Sequence, residues 1–270
     1  MSEIQFLGFV FSAHGRGVDS SKTQALCQLP PPETVHDLQR WLGAVNYYSS
    51  FIPNYAELTA PLSDLLKGIP GGFKRKSKAR LQWLPVHQAA FEAVRDKLAA
   101  PPLLRLFDPA LPCTVSVDAS RIALGGVLEQ EEAGQRRPVA YYSRKLTPAE
   151  QRYTTREREC LAVKQCLMVW RHYLLGAPFC VRSDHESLKW LHTQQVDTLS
   201  DRLLRWLEYF SLFDFQQDYI SGEANVLPDM LSRPNDSRPP TQVALRSDSV
   251  ETLDLAALVV LFNDHQHLCP

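Results

Sequence analysis

Four acidic residues stand where the chain's own geometry can bring them together. Asp118 closes an alternating, strand-like run at 113–118, and Asp184 closes another at 178–184. A helical stretch, about 148–175, lies between them. A strand–helix–strand crossover normally leaves its two strands parallel, with matching ends adjacent. In open α/β sheets the C-terminal strand edge is where ligands bind. Within the helical stretch, Glu159, Ala162, Val163, Cys166, Trp170 and Tyr173 recur at helical spacing. Glu159 therefore heads the stripe that faces the sheet, whereas Glu157 points away and is expected in solvent. A carboxylate on a buried face is costly unless it is paired or holds a metal. Asp229 follows a turn at 221–225 and sits at a helix start marked by Pro228. From there it can fold back over the same edge.

Oxygen donors without cysteine or histidine company suit hard divalent cations. Each acid also has an ordinary structural reading. Strand-end aspartates form turns or cap helices, which fits Asp184, and Asp229 is placed to interact with its own helix dipole. A single helical glutamate usually faces water. Only convergence at one edge argues for chemistry.

Composition narrows the classes. The charge balance is 29 basic to 30 acidic residues, so no overall positive field draws the chain to nucleic acid. Any such attraction must be local, and the run from Lys74, Arg75 and Lys76 to Arg80 is one source, although it reads equally as a solvated linker. No apolar run reaches membrane-spanning length, and the first residues lack the basic start and apolar stretch of a signal peptide. An intracellular protein without membrane association is the default expectation. Six cysteines include no Cys-x-x-Cys pair, which argues against a zinc ribbon or redox motif. Cys113, Cys160, Cys166 and Cys180 read as reduced, mostly buried small hydrophobes. His265, His267 and Cys269 lack a fourth ligand and a recognised zinc spacing.

The elements that must position the acids divide the chain into blocks. Residues 1–66 begin with a strand-like run at 4–11. Helical patterns follow at 21–29, from Thr34 through Leu38, Trp41, Val45 and Tyr48, and at 58–66. Residues 67–102 form a linker and a connecting segment with a helix at 86–98. From residue 103 to 234 the order is strands at 113–118, 126–130 and 138–143, the long helix, the strand at 178–184 and a helix at 187–191. A helix at 201–210, an alternating run at 213–220 and a short helix at 228–231 complete it. That order argues an α/β layer with a mixed sheet. Residues 235–270 read as a tail or linker with an apolar piece at 253–262.

The motifs in the third block resemble the ribonuclease H region of gypsy-type LTR-retrotransposon reverse transcriptases. They run in order from Val117-Asp118-Ala119-Ser120 and Leu124-Gly125-Gly126-Val127-Leu128 to Pro138-Val139-Ala140-Tyr141-Tyr142-Ser143. Glu157-Arg158-Glu159-Cys160-Leu161-Ala162-Val163, Asp184-His185, Leu204-Arg205-Trp206 and Asp229-Met230-Leu231-Ser232-Arg233 continue the series. Upstream, Phe6-Leu7-Gly8-Phe9 resembles the end of the polymerase palm, Trp41-Leu42-Gly43 and Asn46-Tyr47-Tyr48 its thumb, and Trp83 with Ala90-Phe91 its connecting segment. The resemblance spans about residues 5–234.

It implies a ribonuclease H-like fold, a mixed five-stranded sheet flanked by helices, preceded by a small, mainly helical thumb-like subdomain. It implies that Asp118, Glu159, Asp184 and Asp229 bind two Mg2+ ions, with Mn2+ as a substitute, and cut RNA paired with DNA. Asp118 is the expected shared ligand, Glu159 and Asp184 hold one ion, and Asp229 helps complete the other site. Ser120 and Arg121 are candidates for 2′-hydroxyl contact, and Arg202, Arg205, Lys74, Arg75 and Lys76 for phosphate contact. Trp190 and Trp206 read as core. Two positions depart from the pattern: Tyr219 replaces a histidine found in many ribonucleases H, and Pro228 replaces an alanine. No Tyr-x-Asp-Asp turn occurs, so polymerase activity is not expected from this chain alone. The expected partners are an RNA–DNA hybrid and the rest of a retroelement polyprotein or reverse transcriptase. The competing reading is a catalytically inactive nucleic-acid-binding relic or domesticated module.

Overall fold

The computed structural model describes residues 3–67, 79–183, 200–219 and 251–252. Asp184, Asp229, Lys74, Arg75, Lys76, Trp190 and the terminal His265, His267 and Cys269 lie outside the described residues, as do the helices expected at 187–191 and 228–231.

The apolar run at 4–11 is not one strand. It forms β1 (Ile4–Phe6) and β2 (Phe9–Ser12), and β3 (Gly15–Val18) completes a three-stranded antiparallel meander. Leu7 and Gly8 turn the chain with φ of 49° and 79°. Glycine takes that conformation freely, but leucine rarely does. The run's continuous apolar character conceals the turn.

α1 (Ser20–Cys27) starts at Asp19, whose carboxylate accepts the Ser21 N–H at 2.9 Å. α2 (Val35–Asn46) opens with a capping box between Thr34 and Asp37. A 3-10 turn follows at Ser49–Phe51. In place of the single helix expected at 58–66 stand α3 (Tyr55–Leu58) and α4 (Ala60–Asp64). Asn54 enters α3 in a left-handed conformation, and Pro61, which has no N–H to give, sits in the first turn of α4. α5 (Pro85–Ala99) then packs Phe91, Val94 and Leu98 into one cluster with Leu38, Trp41 and Val45 of α2. The Trp41 and Phe91 rings lie 4.6 Å apart.

The remaining elements build the second unit. β4 (Cys113–Ala119), β5 (Ala123–Glu132) and β6 (Gln135–Lys145) form an antiparallel meander. Its second hairpin closes at Ala133 and Gly134, both at positive φ, and runs several residues beyond the strands expected from sequence. The long helix expected at 148–175 is a 3-10 turn (Glu150–Arg152), α6 (Thr155–Val169) and α7 (Arg171–Leu174). β7 (Phe179–Ser183), α8 (Asp201–Phe210) and β8 (Phe215–Tyr219) follow. The sheet order is β6-β5-β4-β7-β8, with β4, β7 and β8 parallel, which is the mixed five-stranded sheet expected. A two-residue strand, β9 (Glu251–Thr252), adds to the β8 edge from within the stretch read from sequence as a tail or linker.

Strand alternation assigns the two faces. Val115 and Val117 of β4 and Leu124 and Leu128 of β5 pack with Cys160, Val163, Cys166 and Leu167 of α6 and Trp206 of α8. On the opposite face Val127 and Tyr141 close over Phe51 and Leu104. The N-terminal block therefore covers part of the sheet face turned away from α6. Lys145 at the end of β6 reaches Asp64 at 2.7 Å, and Arg16 and Leu104 exchange two backbone hydrogen bonds. The cysteines behave as expected. Cys113, Cys160 and Cys166 are buried, Cys180 is half-buried, and all four are free. Burial pushes the Cys160 thiol up to about 12 and that of Cys180 to about 11.

Candidate active site

Asp118 stands one residue from the end of β4, half-buried, directly opposite Gly125 of β5. Gly125 in turn faces Ser143 of β6, so the three residues form one row across three strands. β7 runs parallel to β4, with Ser116 in register with Arg182. The last residue of β7, Ser183, immediately precedes Asp184, which lies outside the described residues.

α6 begins at the same edge. Arg158 in its first turn donates to the Ser120 carbonyl at 3.0 Å, tying the helix to the loop just beyond Asp118. Glu159, the next residue, is 1% exposed. The contact sets the first turn of α6, and with it Glu159, near the end of β4 that carries Asp118. Asp229 also lies outside the described residues, so the full quartet is not on view.

Glu157 is not the solvated residue expected. It completes a capping box, accepting the Thr154 N–H at 3.0 Å while Thr154 Oγ1 accepts the Glu157 N–H at 3.2 Å. Its carboxylate also pairs with Arg202 at 2.8 Å, leaving the side chain 13% exposed. The helix dipole and a nearby cation hold the charge against α6, and the Thr-x-x-Glu pattern is a recognisable sign of this.

The predicted nucleic-acid contacts are spread out. Ser120 Oγ donates to the Ala123 carbonyl at 3.1 Å and accepts the Ala123 N–H at 3.1 Å, closing the β4–β5 turn. Arg121 is exposed in that turn. Arg202 lies with its guanidinium 3.9 Å from the Tyr153 ring centre, in addition to its pair with Glu157. Arg205 is exposed and donates to the Asp201 carbonyl at 3.2 Å. Trp206 is buried, as expected of a core residue.

Three residues near the site have no place in the sequence-based reading. Arg158 is one. Asn54 and Glu57 are the others, contributed by the N-terminal block. Asn54 shares two narrow clefts with Asp118, one also lined by Ser116 and Tyr141 and the other by Glu57, Ser120 and Ser143. Burial raises the pKa of Glu57, and a hydrogen bond with Ser120 opposes the shift. No local periodicity marks these two, because their partners lie more than sixty residues further along the chain.

Among the described residues no three His, Cys, Asp or Glu side chains gather as a metal site. The donors present at the edge are nevertheless of one kind. Asp118 and Glu159 offer oxygen only, and Cys160 beside Glu159 is turned into the core at 0% exposure. That set fits a hard cation rather than zinc. Among the described residues, no helix is long and apolar enough to cross a membrane.

Residues 108–213 match the model of the RNase H-like domain found in reverse transcriptase. Over 242 residues the chain is 34% identical to the transposon Tf2-3 and Tf2-4 polyproteins of Schizosaccharomyces pombe. The match covers 88% of this chain but 18% of those polyproteins, so the chain spans less than a fifth of the relatives' length. Among solved structures, the foamy viral protease-reverse transcriptase dRH in complex with double-stranded DNA superposes with a TM-score of 0.67 at 26% identity, covering 81% of this chain and 38% of that one. The foamy viral protease-reverse transcriptase in complex with RNA/DNA hybrid gives 0.66 at 26% identity, covering 92% and 32%. The resemblance to gypsy-type reverse transcriptases is borne out: residues 108–213 are an RNase H-like domain of the reverse-transcriptase kind, in a chain related to the Tf2 retrotransposon polyproteins.

Proposed function

We propose that this chain is the nuclease part of a retroelement reverse transcriptase and hydrolyses the RNA strand of RNA–DNA hybrids. The observation that carries the reading is the RNase H-like match of residues 108–213, in which Arg158 ties the first turn of α6, next to the buried Glu159, to the loop that follows Asp118. Asp118 and Glu159, with Asp184 and Asp229, would hold two Mg2+ ions, and Mn2+ would serve in their place. Bound there, such ions activate water and neutralise charge at the scissile phosphate.

The chain's own contribution is rigid placement. Asp118 rides on a strand hydrogen-bonded on both sides. Glu159 is fixed by a helix whose first turn is capped by Thr154, clamped by Arg202 through Glu157, and tied to the β4–β5 loop by Arg158. Ser120 and Arg121 sit at the mouth of the edge, where a 2′-hydroxyl would distinguish RNA from DNA. Hybrid binding is phosphate-driven and weakens with salt. The physiological setting is the remainder of a retroelement polyprotein, which would also supply the polymerase active site.

Cleavage of a hybrid labelled on each strand tests the reading. In Mg2+ the wild-type chain should shorten the RNA strand and leave the DNA intact. Asp118→Asn and Asp184→Asn should each lose on the order of 100-fold or more, at least the upper end of what outer-shell changes around a metal cost. A wild-type chain that binds the hybrid but cuts no better than Asp184→Asn would replace this reading with that of an inactive binding module.

A further inference from the structure

The turn entering α3 lies on the row formed by Asp118, Gly125 and Ser143. The Ala56 N–H donates to Ser143 Oγ at 2.9 Å, which fixes the turn to β6. The Asn54 side chain lies against β5: a Cβ at Gly125 would come within 3.3 Å of Asn54 Oδ1. The missing side chain at Gly125 is what lets the amide approach the strand beside Asp118. Asn54 lines both clefts that Asp118 lines. Its φ of 51° is left-handed, a conformation that asparagine tolerates better than most residues and that tends to collect at functional sites. The turn is anchored on either side, because Phe51 and Ile52 are 0% exposed and Tyr55 is buried.

We infer that Asn54 positions the Asp118 carboxylate, making the nuclease edge a composite site to which the N-terminal block contributes. The inference rests on the nuclease reading above. An amide carries two donors and an acceptor but no charge. It can orient a carboxylate without competing for it as a lysine would or repelling it as another acid would. Partners of metal-ligating carboxylates work in this way, setting orientation from one shell out.

The test uses the full chain as wild type, Asn54→Gly, Gly125→Ala and the double variant. Glycine keeps the left-handed turn at no steric cost and removes only the amide. Mn2+ affinity is measured without nucleic acid, by titration followed by electron paramagnetic resonance. Hybrid cleavage gives kcat and KM, and thermal unfolding reports on the fold. Asn54→Gly should weaken Mn2+ binding and lower kcat by about 10–100-fold, with KM and Tm nearly unchanged. Gly125→Ala should act in the same direction by displacing the amide. The double variant should be no worse than Asn54→Gly, because both changes act through one contact. Wild-type Mn2+ affinity and kcat in Asn54→Gly would overturn the inference and leave the nuclease reading intact, as would losses that multiply in the double variant. A wild-type chain that neither binds Mn2+ nor cuts would instead overturn the nuclease reading, and this inference with it.

Discussion

Gly126 shows how closely α6 is seated on the sheet. A Cβ there would lie 2.6 Å from Cys166 Sγ and 2.9 Å from the Ser116 carbonyl oxygen. Cys166 is fully buried, so its sulfur cannot swing clear, and Gly126→Ala must push α6 away from β5. Overpacking of this kind costs about 1–3 kcal/mol. Urea unfolding should register that loss, and Cys166→Ala in the same chain should recover part of it, since the sulfur clash is then gone and only the carbonyl contact remains. A pH dependence originates at Glu150. Arg144 grips its carboxylate with two bonds at 2.8 and 3.0 Å, and the Thr147 N–H adds a third, so its pKa falls from 4.5 to about 2. The folded value lies below the unfolded one. The pair therefore stabilises the fold above pH 4.5, and that stability drains away as the pH drops from 4.5 towards 2. Glu150→Gln should make the urea midpoint less sensitive to a change from about pH 6 to about pH 3. Equal sensitivity in both proteins would trace the acid lability to other carboxylates.

The first turn of α6 does several things at once, and most of them could be read from the sequence. Glu159 stood out because it heads a buried stripe, and Asp118 because it closes an alternating strand; both patterns are local. Glu157 departs from the expectation because helical periodicity alone places it away from the sheet, while the Thr154–Glu157 capping box and Arg202 hold it in. Helices α2, α5 and α8 were legible for the same reason as α6, each carrying an apolar stripe at helical spacing. The break at Leu7 was not, because a left-handed leucine leaves no compositional mark, and the division of α3 from α4 at Thr59 is hidden by an apolar spacing (Leu58, Leu62, Leu65) that continues across it. Asn54 and Glu57 depend wholly on contacts with β4, β5 and β6, which no window along the chain contains. Thr154→Ala removes one acceptor from the cap of α6 and should cost about 0.5–2 kcal/mol. Because a lost cap frays the end it served, hydrogen exchange should quicken at residues 156–159 and stay slow near Cys166. Uniform acceleration along α6 would mean that packing against the sheet, not the cap, governs the first turn.

The sheet is covered on both faces, by α6 and α8 on one side and in part by the N-terminal block on the other. The second contact has the character of a core: Phe51 and Leu104 are 0% exposed, and Val127 is 1% exposed. Hydrogen bonds and charge reinforce it, through Ala56 to Ser143, Lys145 to Asp64 and the Arg16–Leu104 bridge. An apolar seam of this kind should make the two blocks open as one cooperative unit rather than as beads on a string. Phe51→Ala empties the centre of the seam and should cost about 3–5 kcal/mol. Native-state hydrogen exchange reads the consequence separately in α2 and α5, whose cluster excludes Phe51, and in β4 and β5, which form the sheet. Under cooperative opening the slowest amides of both groups lose protection by the same free energy in the variant. Loss confined to one group would mean that the blocks fold independently, and a side chain of the N-terminal block could then not be held steadily enough beside Asp118 to serve the proposed nuclease edge.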